Sequence, residues 1–176
     1  NVIIGHHLLS RFENLIAKPQ GQGYAELQFP DLPDFSLFIG TENLFLVDHR
    51  KADSINWNPE NNEKIEFLSY RFQIEKNPVG KGNGVENAAF DALSLPLPLI
   101  IRQINPGDKI TAFGRNTSES VKKYLSESGI PAPLRESYPV LCDAAGEIIW
   151  IPGVKRSNKY PARNSDFIFI SFHNHE

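Results

Sequence analysis

Every lysine and arginine after residue 95 is a candidate phosphate donor: Arg102, Lys109, Arg115, Lys122, Lys123, Arg135, Lys155, Arg156, Lys159 and Arg163. Cationic donors spread over a surface hold phosphates, and arginine adds a fork that takes two phosphate oxygens at once. The best pairs are Lys122-Lys123 in a helical segment and Lys155-Arg156 just after Pro152-Gly153. From charge alone, an ordinary solvated face explains the set more simply. The formal net charge of −3 also speaks mildly against a nucleic-acid partner, although the balance is −5 over residues 1–95 and +2 over residues 96–176. Chance produces an asymmetry of that size, and clustering on one face matters more than the total.

Other chemistries are poorly represented. Of the five histidines, His6, His7, His49, His173 and His175, only the His-Asn-His run at 173–175 has a metal-like spacing. A terminal segment makes a poor rigid site, and no metal ligand is assigned. His6 and His7 read as structural or solvent-facing. The Gly-rich run 80–84 lacks the Gly-Lys-Ser/Thr ending of a phosphate loop and reads as a linker. Cys142 sits in an apolar strand and reads as a small buried residue rather than a nucleophile. No Ser-His-Asp or paired-carboxylate arrangement stands out, so no catalytic residue is assigned. Asp108, beside Pro106-Gly107, is a turn residue that can also orient a neighbouring Arg or Lys.

The elements that must position these residues follow from spacing. The chain has 176 residues, 40% hydrophobic and 22% charged, which is globular composition and enough length to bury a core. No apolar run approaches the roughly 18 residues of a membrane helix, and the N-terminus is a poor signal peptide. With one cysteine no intrachain disulfide can form, which fits a reducing compartment and a cytoplasmic location. The absence of methionine suggests an excised fragment, with proteolytic processing as the other account.

A helix is expected over residues 6–18, followed by strands over 24–29, 35–39 and 44–47, the last two joined by a turn at 40–43. Residues 55–64 read as a loop, 65–74 as one strand and 77–87 as turn chemistry. Pro96 and Pro98 precede a strand over 99–104, expected to be entered from a sheet edge. Residues 105–108 read as a Pro-Gly turn. A helix is expected over 118–128, capped by Asn116, Thr117 or Ser118, with Glu119 in its first turn and Gly129 in a left-handed C-terminal cap. Val121, Tyr124 and Leu125 form its apolar stripe and, with Trp150, one expected core; Lys122 and Lys123 face away. Strands over 140–142 and 147–151 flank a turn at 143–146, and 167–172 is a final strand. Strands and helices alternate without a βαβ rhythm, so the fold class is α+β. Two small mixed units are expected, residues 1–89 and 90–176.

The order and spacing of Phe90-Asp91, Leu95-Pro96-Leu97, Arg102, Pro106-Gly107-Asp108-Lys109, Gly114, Lys122-Lys123, Ile130-Pro131, Arg135, Pro139-Val140-Leu141, Glu147 to Gly153 and Lys155-Arg156-Ser157 resemble the C-terminal domain of tRNA(Ile)-lysidine synthetase. The similarity runs from about Phe90 to the end. The first half, with its helix and its strands around Leu27 to Pro33, is more loosely similar to the segment that precedes this domain.

The resemblance implies the following. The family uses ATP, with magnesium, to ligate lysine to the wobble cytidine of an isoleucine tRNA. Its ATP site carries a Ser-Gly-Gly-x-Asp-Ser loop absent from this sequence, so this chain alone is expected to be inactive and to hold no cofactor. Its C-terminal domain, related in fold to a domain of the phenylalanyl-tRNA synthetase β subunit, contacts tRNA. The partners implied are tRNA-Ile, through its acceptor stem or body, and the enzyme's own N-terminal catalytic domain; no membrane is implied. Arg102, Lys109, Arg115, Lys122, Lys123, Arg135, Lys155 and Arg156 are the candidate RNA-binding residues. The rivals are a structural module that packs on another domain without touching RNA, and an unrelated enzyme with a pocket of its own.

Overall fold

In a computed structural model, residues 25–40, 44–76, 78, 80, 82–163 and 166–174 are described. The helix expected over 6–18, His6, His7, Tyr24, most of the 40–43 turn and His175 lie outside them. The chain forms two compact units, Asn1–Arg50 and Lys51–Glu176. The architecture is α+β, mostly sheet.

The first unit contains the antiparallel sheet β1 (Ala25–Phe29), β2 (Leu32–Ile39) and β3 (Leu44–Asp48), in that order. Strand β2 starts earlier than its apolar core suggested, because Pro30-Asp31 makes the turn and Phe29 pairs with Leu32 across a bulge. On one face Ser36 is buried and donates to Glu26 Oε1 at 2.7 Å, while His49 Nε2 lies 2.8 Å from the same hydroxyl. This polar trio satisfies itself.

The second unit has a five-stranded sheet and a four-stranded sheet. The first runs β13 (Lys155–Arg156), β12 (Ile148–Ile151), β11 (Pro139–Cys142), β8 (Leu99–Gln103), β4 (Ile55–Trp57). The second runs β5 (Lys64–Phe67), β6 (Tyr70–Ile74), β14 (Phe167–Asn174), β7 (Asn87–Asp91). A short ribbon pairs β9 (Lys109–Ile110) with β10 (Glu119–Ser120), and α1 (Val121–Glu127) follows it.

Several expectations change here. Residues 55–57, read as loop, form β4 because they pair with β8, and Trp57 is buried with its Nε1–H donating to the Asn62 carbonyl. Tertiary pairing overrides a polar local window. The single strand expected over 65–74 is a hairpin: Leu68 takes φ +55, so the chain reverses between Phe67 and Tyr70 without a Gly or Pro to announce it. Strand β7 arises from an alanine-rich stretch that no propensity flagged. Strand β8 is internal, between β11 and β4; Pro96 and Pro98 fall before Leu99, so no ladder N–H is lost. The division falls at residue 50/51 rather than 89/90, since β4 to β7 share their sheets with strands from the later chain.

The helix is shorter than expected. Glu119 and Ser120 are held in the ribbon with Ile110 and Lys109, so Ser120 becomes the N-cap and Val121 donates its N–H to the Asp108 carbonyl. The far end is as expected. Gly129 has φ +76, its N–H donates to Ser126 and that of Ile130 to Leu125, the paired closure of a Schellman cap.

The strands β11 and β12 are buried on both faces, which explains their continuous apolar runs. One face meets the four-stranded sheet: Leu99, Ile101, Leu141 and Trp150 pack with Phe67, Phe72, Phe90 and Ile170. The other meets the helix: Val140, Cys142 and Ile151 pack with Val121, Leu125, Ile104 and Ile110. The single core expected for Val121, Leu125 and Trp150 is therefore two, separated by the sheet, with Tyr124 half-buried at the second. Among the described residues no helix is long and apolar enough to cross a membrane.

Candidate nucleic-acid interface

The basic side chains fall into two groups. Lys109, Arg115, Lys122, Lys123 and Lys155 are exposed. Arg102, Arg135 and Arg156 are half-buried and occupied by protein partners.

Arg102 projects from β8 and forks onto Asp108, Nη1 to Oδ2 at 2.7 Å and Nη2 to Oδ1 at 3.1 Å. Arg102 is thus the neighbouring cation that Asp108 is expected to orient. The turn makes this possible: Gly107 at φ +88 lets Asp108 fold back, where Oδ2 also accepts the Asn105 N–H at 2.7 Å. The Asp108 carboxylate holds the Arg102 guanidinium above its ordinary pKa. Arg135 spends its Nε–H on the Ile130 carbonyl at 2.7 Å, tying the segment after the helix.

Lys155 and Arg156, expected to act as a pair, part company because successive strand residues face opposite sides. Lys155 is exposed. Arg156 turns inward, its Cζ 5.2 Å from the ring centroids of both Phe90 and Phe113, while Nη2 donates to the Lys159 and Tyr160 carbonyls. Its Nε has no hydrogen-bond partner, and burial pushes its pKa down. Arg156 staples the fold.

On α1, Lys122 and Lys123 lie off the buried stripe of Val121 and Leu125, as expected. Lys122 reaches Glu136 at 3.4 Å; Lys123 reaches Glu119 at 2.7 Å and Glu127 at 4.0 Å. Pairs this exposed contribute little and are readily exchanged for phosphate. Lys109, Arg115 and Lys155 reach no carboxylate within 4.0 Å among the described residues.

A cavity of about 310 Å³ opens beside this surface, lined by Arg102, Asp108, Lys109, Ser118, Glu147, Asn158 and Lys159 among others. Much of its charge is matched internally, Arg102 by Asp108 and Lys159 by Glu147. Lys109 is the cation in its wall with no such match among the described residues. Cys142 is fully buried, and burial pushes its thiol up to about 11, which suits a core residue and not a nucleophile. Lys159, named among the candidate phosphate donors but not among the candidate RNA-binding residues, lines this cavity. Phe113, an exposed ring resting on Arg156, was also missed. Its signal was an aromatic residue set between Lys109 and Arg115.

At the end of the Gly-rich run, Asn83 Oδ1 accepts the N–H groups of Val85 and Glu86. No group of three or more His, Cys, Asp and Glu side chains comes together among the described residues.

Residues 99–167 match the family model described as the TilS substrate C-terminal domain. A bifunctional protein TilS/HprT of Listeria innocua is 37% identical over 101 residues, covering 56% of this chain and 15% of that protein. The tRNA(Ile)-lysidine synthase of Bacillus subtilis is 41% identical over 81 residues, covering 45% of this chain and 17% of that protein. The chain thus spans under a fifth of the length of these relatives. Among solved structures, a TilS C-terminal domain superposes with a TM-score of 0.54 at 26% identity, over 61% of this chain and 86% of that one. A phenylalanyl-tRNA synthetase β-subunit fragment from Pyrococcus horikoshii aligns at a TM-score of 0.42 and 19% identity, over 52% of this chain and 29% of that one, too loosely to carry weight.

Proposed function

We propose, from the match of residues 99–167 to the TilS substrate C-terminal domain model, that this chain is the tRNA-holding part of a tRNA(Ile)-lysidine synthetase. In this reading the whole enzyme works in the cytoplasm and uses ATP to ligate lysine to the wobble cytidine of tRNA-Ile. This chain grips the acceptor stem or body and catalyses nothing alone. The sequence contains no Ser-Gly-Gly-x-Asp-Ser loop.

One observation carries the reading. The outward-facing cations Lys109, Arg115, Lys122, Lys123 and Lys155 all fall inside the matched interval. A helical RNA stem is read through backbone phosphates and 2′-hydroxyls, so dispersed lysines on a rigid sheet-and-helix frame suit it. The half-buried Arg102, Arg135 and Arg156 support the frame, and their part in tRNA binding is indirect.

Changing Lys122 and Lys123 together to alanine is expected to weaken tRNA-Ile binding while leaving the unfolding free energy within about 0.5 kcal/mol of wild type, as for other exposed sites. Lys155→Ala is expected to act in the same direction. Unchanged affinity in both variants, measured by filter binding, would favour the structural-module reading. That reading draws on the first unit, where Leu44 and Leu46 are 57% and 61% exposed and suit contact with the catalytic domain.

A further inference from the structure

Phe113 is 59% exposed, the one aromatic ring among the exposed large hydrophobic residues described. Its position is fixed from below. The Arg156 guanidinium lies over one of its faces, 5.2 Å from the centroid, and the same guanidinium lies 5.2 Å from the fully buried ring of Phe90. The backbone is equally tied. Phe113 donates its N–H to the Arg156 carbonyl at 2.9 Å, Ala112 bridges to Ser157, and Asn158 donates to Thr111 at 3.1 Å. Phe90, Arg156 and Phe113 thus form a column that runs from the core to the surface. Among the described residues no other ring or cation stacks on Phe113.

We propose that Phe113 is a stacking platform for an unpaired nucleobase from the single-stranded 3′ end of tRNA. The proposal rests on the tRNA-holding reading and names the base-contacting element of that site. A lone rigid ring in polar surroundings is too small for a protein interface, but it matches the face of one base. Every base offers such a face, and single strands are held by aromatic platforms beside cations that track the backbone. The cations are in place: Arg115 is exposed two residues on, and Lys109 lines the cavity without a carboxylate partner among the described residues. The walls of that cavity, Thr111 and Asn158, belong to the same paired segment as Phe113. A base inside a duplex is covered on both faces and cannot use the platform. The unpaired 3′ strand that ends the acceptor stem can.

The test measures binding of this chain to tRNA-Ile and to the same tRNA lacking its unpaired 3′ nucleotides. Phe113→Ala is expected to weaken binding of intact tRNA by roughly 5- to 150-fold, the effect of losing one base–aromatic stack. Phe113→Tyr should restore it and Phe113→Leu should not. The salt dependence should be unchanged, because no phosphate contact is lost. Wild type and Phe113→Ala should bind the truncated tRNA equally. If Phe113→Ala proves unstable in thermal unfolding, Phe113→Leu, which keeps an apolar cover over Arg156, takes its place. Equal affinity of variant and wild type for intact tRNA overturns the platform, as does an equal loss on truncated tRNA. In both cases binding by the lysines stands. A wild-type chain that binds no tRNA overturns the underlying reading instead.

Discussion

Trp150→Ala is expected to cost about 3–5 kcal/mol of unfolding free energy. Trp150 is fully buried between the two sheets of the second unit, edge-on to Phe72 and Phe172 with centroids 6.4 and 6.2 Å away. Its Nε1–H donates to the Gly84 carbonyl at 3.1 Å, which ties the 82–86 segment to β12. Alanine would leave a cavity that rigid sheets cannot close, and it would orphan that carbonyl. Trp150→Phe should cost less, since it keeps most of the apolar volume and loses only the donor. Denaturant unfolding read by near-UV circular dichroism measures both. A loss below about 1 kcal/mol for alanine, the size of an average substitution, would show that the sheets do not meet at this residue.

Leu125→Ala is expected to cost about 2–5 kcal/mol, and here stability and function should move together. The helix α1 has seven residues, Val121–Glu127, too short to hold itself by propensity. It is held by two buried side chains, Val121 and Leu125, by the Gly129 cap, and by the Val121 N–H bond to Asp108. Removing Leu125 removes half of the buried anchor against Val140, Ile151 and Ile104. Since Lys122 and Lys123 are displayed by this helix, tRNA affinity should fall even at temperatures where the rest of the unit stays folded. Hydrogen exchange of the helix amides, read beside tRNA binding, distinguishes a loosened helix from global unfolding. A loss under about 0.5 kcal/mol, within the range of a surface change, would mean that the stripe does not pack.

Sequence pattern located the helix that carries Lys122 and Lys123, but not the short strands β9 and β13 that carry Lys109 and Lys155. The helix stripe of Val121 and Leu125, the Gly129 cap, the Pro106-Gly107 turn and the apolar strands expected over 140–142 and 147–151 all follow from local rules, and the strands lie within one residue of those bounds, at 139–142 and 148–151. Two of the missed strands share one cause. Strands β4 and β7 exist because a partner strand waits elsewhere in the chain, and no local window contains that partner. The unit boundary failed for the same reason. In the candidate site, charge identified cations but not their direction. Lys155 and Arg156 are neighbours in sequence and opposites in the fold. Arg102 looked like a phosphate donor until Asp108 folded back onto it. Phe113 was passed over because an exposed aromatic residue looks like a core residue until its neighbours are placed.

The measurement that tests the central claim most directly is the affinity of this chain for tRNA-Ile over a salt series. If exposed lysines hold phosphates, the logarithm of the binding constant falls linearly with the logarithm of salt concentration, because each phosphate contact releases counterions. Losing Lys122 and Lys123 should then flatten the slope by about 1 for each contact removed. A binding constant that does not change with salt, or a slope that the lysine variants leave intact, would contradict the account.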